Sequence, residues 1–398
     1  MRFPRKPVFF AALAALILVA ASCNQGASKN TSKAIPVVER KWNDFARFVS
    51  GLPQEEGSAL SNAASAVWYQ KYTENLTQAW TNLQTNRLKQ MRDWAATELA
   101  EANREPRDVL YTFSGPDFLH VFTFLPRAKR YVLIALEPVG SAPDLAAAKP
   151  GEVSNYLELV DKSLNDIYKR SYFITFNMDK DLRRKEVDGA VPLLAVFLAR
   201  TGNRIIDLRY MRLNERGELG VDTNAGVKGK SRQAVQIDFV NEKDPSELRT
   251  VVYFSTDLGD KAFKANKPLQ KYLDGMAGSV SYVKSASYLM HYKDFSAIRE
   301  LILAKCYAYI GDDTGIPYGY FDKKKWSIQL YGKYLKPVND FSGVDQDDLR
   351  RAYEAAPVKE LPFNLGYHWH SKKQNMMVTI RKGDVAPAPA ASNAAPKK

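Results

Sequence analysis

The chain has 398 residues, of which 25% are charged and 12% aromatic, values of a folded globular protein rather than a disordered one. The formal charge is +13; three of the positives fall within residues 1–22 and leave +10 on the remainder. That excess suits an acidic neighbour, and the leader described next argues against nucleic acid as that neighbour.

Residues 1–22 read as a signal peptide: Arg2, Arg5 and Lys6 precede an unbroken apolar run from Val8 to Ala21. A run of that length fits a secretory signal, whereas spanning a bilayer takes roughly 20 residues. Ala20, Ala21 and Ser22 then lead into Cys23, as in bacterial lipoprotein signals, where the cysteine is lipidated and becomes the first mature residue. The expected location is the cell envelope, with the protein held by Cys23 at the outer membrane and facing the periplasm. The expected partners are the membrane through that anchor and an anionic envelope polymer, with no nucleic acid. Residues 23–36, polar and poor in apolar side chains, read as a tether.

About 375 residues follow the signal, enough for two or three domains on length alone. Residues 37–104 read as helical. Trp42, Phe45 and Val49 recur at helical spacing, and Leu76, Trp80, Leu83, Leu88, Met91 and Trp94 follow in steps of three, four and five. Residues 105–203 read as a first α/β lobe. VLYTF is a short strand, SGP a turn, and Asp117 a cap for the helix FLHVFTFLP; RYVLIAL is a second strand, closed by Glu137-Pro138. Strand, short helix and strand predict parallel pairing, which sets Ser114–Asp117 and Glu137–Gly140 at neighbouring carboxyl ends, where open α/β sheets bind ligands. A long helix over residues 154–170, the strand SYFITF and the helix AVPLLAVFLARTG complete the lobe.

Residues 204–382 read as a second lobe. RIIDLRYMRL, AVQIDFV and ELRTVVYFS are antiparallel strands parted by NERGELG and NEKDPSE. A helical stretch is expected from Asp257 to Ile310, then the loop GDDTGIPYGYFD, the strand WSIQLYGKYLKPV, a helix over residues 345–354 and a final strand pair. Residues 383–398, rich in Ala and Pro, read as a disordered tail. The fold class is therefore α+β. VLYTFSGPDF resembles VVYFSTDLGDKAF, and ALEPVG resembles YLKPVN, which suggests an internal duplication with Asp117 and Asp257 equivalent across one cleft.

The candidate ligand-binding residues are Ser114, Gly115, Asp117, Glu137 and Asp257. Proximity alone does not make Ser114, Asp117 and His120 a triad, since that constellation is defined by geometry. An Asp117 spent on a helix cap is expected to be badly placed to orient His120. Paired acids among Asp117, Glu137 and Asp257 would suit a hydrolase of glycosidic bonds, the alternative to a binding or structural role. His368 and His370, alternating along a strand, would still need a third ligand to hold a metal, and Asp312-Asp313 lack the spacing of a calcium loop; no metal or cofactor is expected. Gly311 reads as the end of a helix there. With Cys23 lipidated, Cys306 has no disulfide partner and reads as a buried helical thiol.

The segments AWTNLQTNRLKQMRDWAATEL, YTFSGPDFLHVFTFLPRAKRYVLIALEPVG, SASYLMHYKDFSAIRELIL and DDTGIPYGYFDKKKW resemble a family of exported bacterial lipoproteins. The resemblance reaches over most of the mature chain and implies a grouping, without a mechanism.

Overall fold

The computed structural model describes residues 39–172, 189–225, 232–369 and 373–383. The signal peptide, Cys23, the tether, His370 and the tail from 384 onward lie outside the described residues, as does SYFITF beyond Tyr172.

The helical expectation over residues 37–104 resolves into α1 (Arg40–Val49), α2 (Ser61–Ala64), α3 (Val67–Leu83), a π-helical turn over Gln84–Leu88, and α4 (Lys89–Glu98). The five-residue step from Leu83 to Leu88 coincides with the π turn. One extra residue there keeps Leu88 in line with Leu76, Trp80 and Leu83, and all of them are buried with Met91 and Trp94 in one core. Trp94 meets the rings of Phe124, Tyr331 and Phe363 edge-on at 5.7, 5.0 and 5.5 Å.

Next come β1 (Val109–Thr112), α5 (Phe118–Phe124), β2 (Arg130–Ala135), α6 (Pro150–Arg170) and α7 (Val191–Arg200). The antiparallel strands are β3 (Asn203–Leu213), β4 (Leu219–Val221), β5 (Ala234–Asn241) and β6 (Arg249–Ser255). The stretch expected to be helical from Asp257 to Ile310 instead alternates: α8 (Asp260–Ala265), α9 (Lys267–Asp274), β7 (Val280–Val283), α10 (Ser296–Lys305) and β8 (Ala308–Gly311). Strands of four residues, buried on both faces, carry no alternating pattern and are easily absorbed into flanking helices when read from sequence. Gly311 thus ends a strand, not a helix. The chain closes with β9 (Trp326–Gly332), α11 (Asp347–Ala355) and β10 (Asn375–Arg381), so a single strand stands where a final pair was expected.

The ten strands among the described residues form one sheet in the order β4-β3-β5-β6-β2-β1-β7-β8-β10-β9. The five central strands, β6 to β8, are parallel, and both flanks are antiparallel. The protein is α+β with a mixed sheet. The stretches 105–203 and 204–382 share this sheet, β1 and β2 lying between β6 and β7, and the described residues form one compact unit.

Alternate side chains feed opposite faces, as a pleat requires. Val109, Tyr111, Tyr131 and Leu133 join α1 and α3–α7 in one core. Leu110, Val132, Ile134 and Phe254 join α8–α11 in the other. The crossover from β1 to β2 runs one way along the sheet over the first face. The crossover from β7 to β8 runs the other way over the second. The boundary between β1 and β7 is therefore a topological switch point, where two loops diverge and leave a crevice.

The duplication does not extend through the fold. β2 is a central parallel neighbour of β1, whereas β9, its supposed counterpart, is an antiparallel edge strand. Asp257 is no counterpart of the Asp117 cap either. It is exposed, accepts the Gly259 N–H at 2.7 Å, and leaves Gly259 in the cap position of α8.

Candidate functional site at the carboxyl edge of the parallel strands

Asp117 is the first fixed point at the switch. It caps α5, accepting the His120 N–H at 3.1 Å, and the same oxygen lies 2.8 Å from His120 Nδ1. Its other oxygen accepts the Tyr111 hydroxyl at 3.0 Å and pairs with Lys284 Nζ at 3.0 Å. The expectation that capping would leave Asp117 unable to orient His120 is corrected: two oxygens with four lone-pair sites serve the backbone and three side chains at once. Lys284 is the first residue beyond β7 and also donates to the carbonyl of Ser171. Asp117, His120 and Lys284 are all buried.

Burial would raise the Asp117 pKa, but His120 and Lys284 beside it hold the carboxyl below the usual carboxylate range. Burial pushes His120 down to about 4, against the pull of Asp117, so the imidazole is neutral near pH 7. Burial also lowers the Lys284 ammonium, with Asp117 opposing. A neutral His120 that gives its Nδ1 proton to Asp117 leaves Nε2 as an acceptor, and no hydrogen-bond partner reaches that atom among the described residues. Ser114 Oγ bonds the carbonyl of Gly115 at 2.7 Å, and His120 is not among its partners. The trio therefore contains an oriented histidine without an engaged nucleophile.

The loop after β8 ties down the loop after β7. Asp312 accepts the N–H groups of Ser285 at 3.0 Å and Thr314 at 3.1 Å, together with the Thr314 hydroxyl. Asp313 accepts from Tyr288 at 2.6 Å and from Asn375 at 2.9 Å. Burial, then the adjacent Asp313, pushes Asp312 up to about 6. His368 belongs to a 3-10 turn (Gly366–His368), so the strand alternation assumed for it with His370 does not apply. Among the described residues no group of three His, Cys, Asp or Glu could hold a metal ion.

Above these networks lies a cleft of about 840 Å³, bordered by the loops following β1, β2, β6 and β7. Ser114, Gly115, Glu137 and Asp257 line it, with Tyr111 and Lys284 at its border; Asp117 sits behind the last two and is 1% exposed. Asp117 is thus bonded to its neighbours and shut away from water. Aromatic rings form two walls: Phe341 stacks on Tyr367 at 5.9 Å, and Phe113 meets Phe295 at 5.8 Å. Lys336 and Lys373 stand at the cleft, both exposed.

Backbone strain gathers here as well. Among the described residues five non-glycines have positive φ: Phe113, Ser171, Ser285, Ser287 and Tyr288. Phe113, Ser285 and Ser287 line the cleft, Tyr288 follows in the same loop, and Ser171 holds Lys284 and precedes the lining residue Tyr172. Such conformations persist only where surroundings over-determine them, and they cluster at ligand sites. A second depression of 630 Å³ between α4, α5 and α7 offers Arg92, Arg127 and Arg200 but no acid–base pair.

Sequence reasoning found the β1 and β2 turns, weighed Asp312 and Asp313 only as calcium ligands, and missed Lys284 and Tyr111. The lysine has one visible signal, a charge directly after the apolar run VSYV, but from sequence that run reads as part of a helix. Cys306 is buried at the C-cap of α10, 3.4 Å from Ser279 Oγ, and burial pushes its thiol up to about 11. No family model, curated protein or solved structure matches this chain.

Proposed function

We propose that the protein is a lipid-anchored envelope component that binds a polyhydroxylated, anionic ligand, such as a segment of phosphorylated envelope polymer, in the cleft between the β1 and β7 loops. The observation that carries this reading is the coincidence of the switch-point cleft with the strained loops around it. Aromatic faces suit the apolar faces of sugars, serine hydroxyls suit their hydroxyl groups, and Lys336 and Lys373 suit a phosphate. The anchor rests on the Cys23 signal in the sequence.

Two measurements test the two halves. Cys23→Ser should move the protein from the membrane fraction to the soluble periplasm, and unchanged partitioning removes the anchor. Glycerol 3-phosphate, a minimal phosphorylated polyol, should quench the fluorescence of Trp369 at the cleft in a saturable way. Lys336→Ala/Lys373→Ala should weaken that binding several-fold, and an unaffected or absent response removes the anionic-ligand reading.

A further inference from the structure

We propose that Lys284 is an imine-forming amine, attaching a small anionic aldehyde or ketone covalently in the cleft, with Asp117 as the group that carries the proton. The proposal rests on the cleft being a ligand site and adds chemistry to it. Lys284 lies at the switch point, borders the cleft, and has its Nζ 3.0 Å from Asp117 Oδ2. Tyr111, also bordering the cleft, holds that same oxygen at 3.0 Å. An amine and a phenol therefore border the cleft and share one buried carboxylate behind them, which His120 holds from its other oxygen.

A buried ion pair is by itself weak evidence for stability, because desolvating both charges offsets their attraction. Asp117 does not need the lysine to be satisfied: the His120 N–H, His120 Nδ1 and Tyr111 already bond it. Among the described residues Lys284 has two acceptors, Asp117 and the Ser171 carbonyl, for three N–H groups. Burial that disfavours its charged form raises the fraction of free amine, the form that attacks a carbonyl.

The step balances without any co-reactant. The ammonium gives one proton to Asp117, and the freed nitrogen pair forms a C–N bond to the carbonyl carbon as the C=O pair moves onto oxygen. A proton passing from nitrogen to that oxygen gives the neutral carbinolamine. Asp117 then protonates the hydroxyl, the C–O bond breaks, and water leaves. The product is an iminium with the same single positive charge as the original ammonium, so the pairing with Asp117 is restored.

The test is reductive trapping of the full mature protein with D-glyceraldehyde 3-phosphate and cyanoborohydride, mapped by peptide mass spectrometry. Lys284 should be labelled at least tenfold above the average surface lysine at neutral pH. That selectivity should vanish in urea, and Lys284→Arg should remove the adduct. Labelling of Lys284 at or below the surface average in the native protein overturns the proposal, and this measurement needs no folded variant. Glycerol 3-phosphate, which has no carbonyl, separates the two claims. If it quenches Trp369 while Lys284 stays unlabelled, the imine falls and the cleft reading stands. If Lys284 is selectively trapped without any glycerol 3-phosphate response, the imine stands and the polyol-phosphate reading falls.

Discussion

The helical layer over the first face and the Asp117 cluster behind the cleft are both dry, but they are dry for opposite reasons. Around Trp94 the packing is apolar and aromatic, three rings meeting the indole edge-on within 6 Å. Around Asp117 the buried groups are a carboxylate, an ammonium, an imidazole and a phenol, each satisfied chiefly by the others. The first region excludes water to gain stability. The second excludes it while keeping groups whose charge depends on their neighbours, the arrangement expected where chemistry or recognition takes place.

Substitutions at the centre of each region should cost similar amounts at neutral pH and diverge in acid. Lys284→Met leaves Asp117 as a buried carboxylate without its cation, and about 3–5 kcal/mol should be lost, as when one partner of a buried pair is removed. Trp94→Ala empties the aromatic cluster and should cost about 3–5 kcal/mol through lost transfer and cavity terms. Urea unfolding at pH 7 and at pH 4 separates them. The Lys284→Met penalty should shrink because Asp117, without the lysine that lowers its pKa, gains a proton in the variant, and the Trp94→Ala penalty should not. Equal pH responses would dissolve the distinction between the two regions.

The pH profile of the wild-type protein sharpens the same contrast. His120 has a folded pKa of about 4 against an ordinary 6.5. A depressed value means that the unfolded chain takes up the proton first, so stability is full above pH 6.5 and falls as pH drops toward 4. A shift of that size corresponds to on the order of 3 kcal/mol. Asp312, raised to about 6 from 3.8, acts in the opposite sense: its burial weighs against folding above pH 6, and that penalty is relieved between pH 6 and 4. His120→Gln should flatten the acid loss between pH 6.5 and 4, and a profile unchanged by this substitution would remove His120 from the account.

Smaller effects should follow where the helical layer docks on the candidate site. Gly189 has φ +85°, and a Cβ there would lie 2.4 Å from Gly140 N and 2.5 Å from the Pro138 carbonyl. The neighbouring Ala190 and Val191 N–H groups bond the carbonyls of Pro138 and Val139, fixing the start of α7 against the Glu137–Gly140 turn. Gly189→Ala should cost about 2–3 kcal/mol from strain and displaced backbone. Gly202→Ala, at φ +76° but with open space around it, should cost only about 1 kcal/mol. Thermal unfolding of both variants orders them, and the reverse order would break the claim that the Glu137–Gly140 turn is held by close backbone contact.

Local signals in the chain were enough for the helical layer, the β1–α5–β2 unit and the antiparallel set β3, β5 and β6. Each is a long or repeated apolar pattern whose partner in burial can be any complementary surface, so neighbours in sequence carry the information. The Asp117 cap was legible for the same reason, since a cap acts within one helical turn. Lys284, Asp312 and Asp313 were not. They stand more than 160 residues beyond Asp117 in the chain, on loops whose meeting depends on where β7 and β8 enter the sheet. Hydrophobic period and capping are set within a few residues of backbone; the convergence of an ammonium, a carboxylate and an imidazole is set by strand order, which exists only once the sheet has formed.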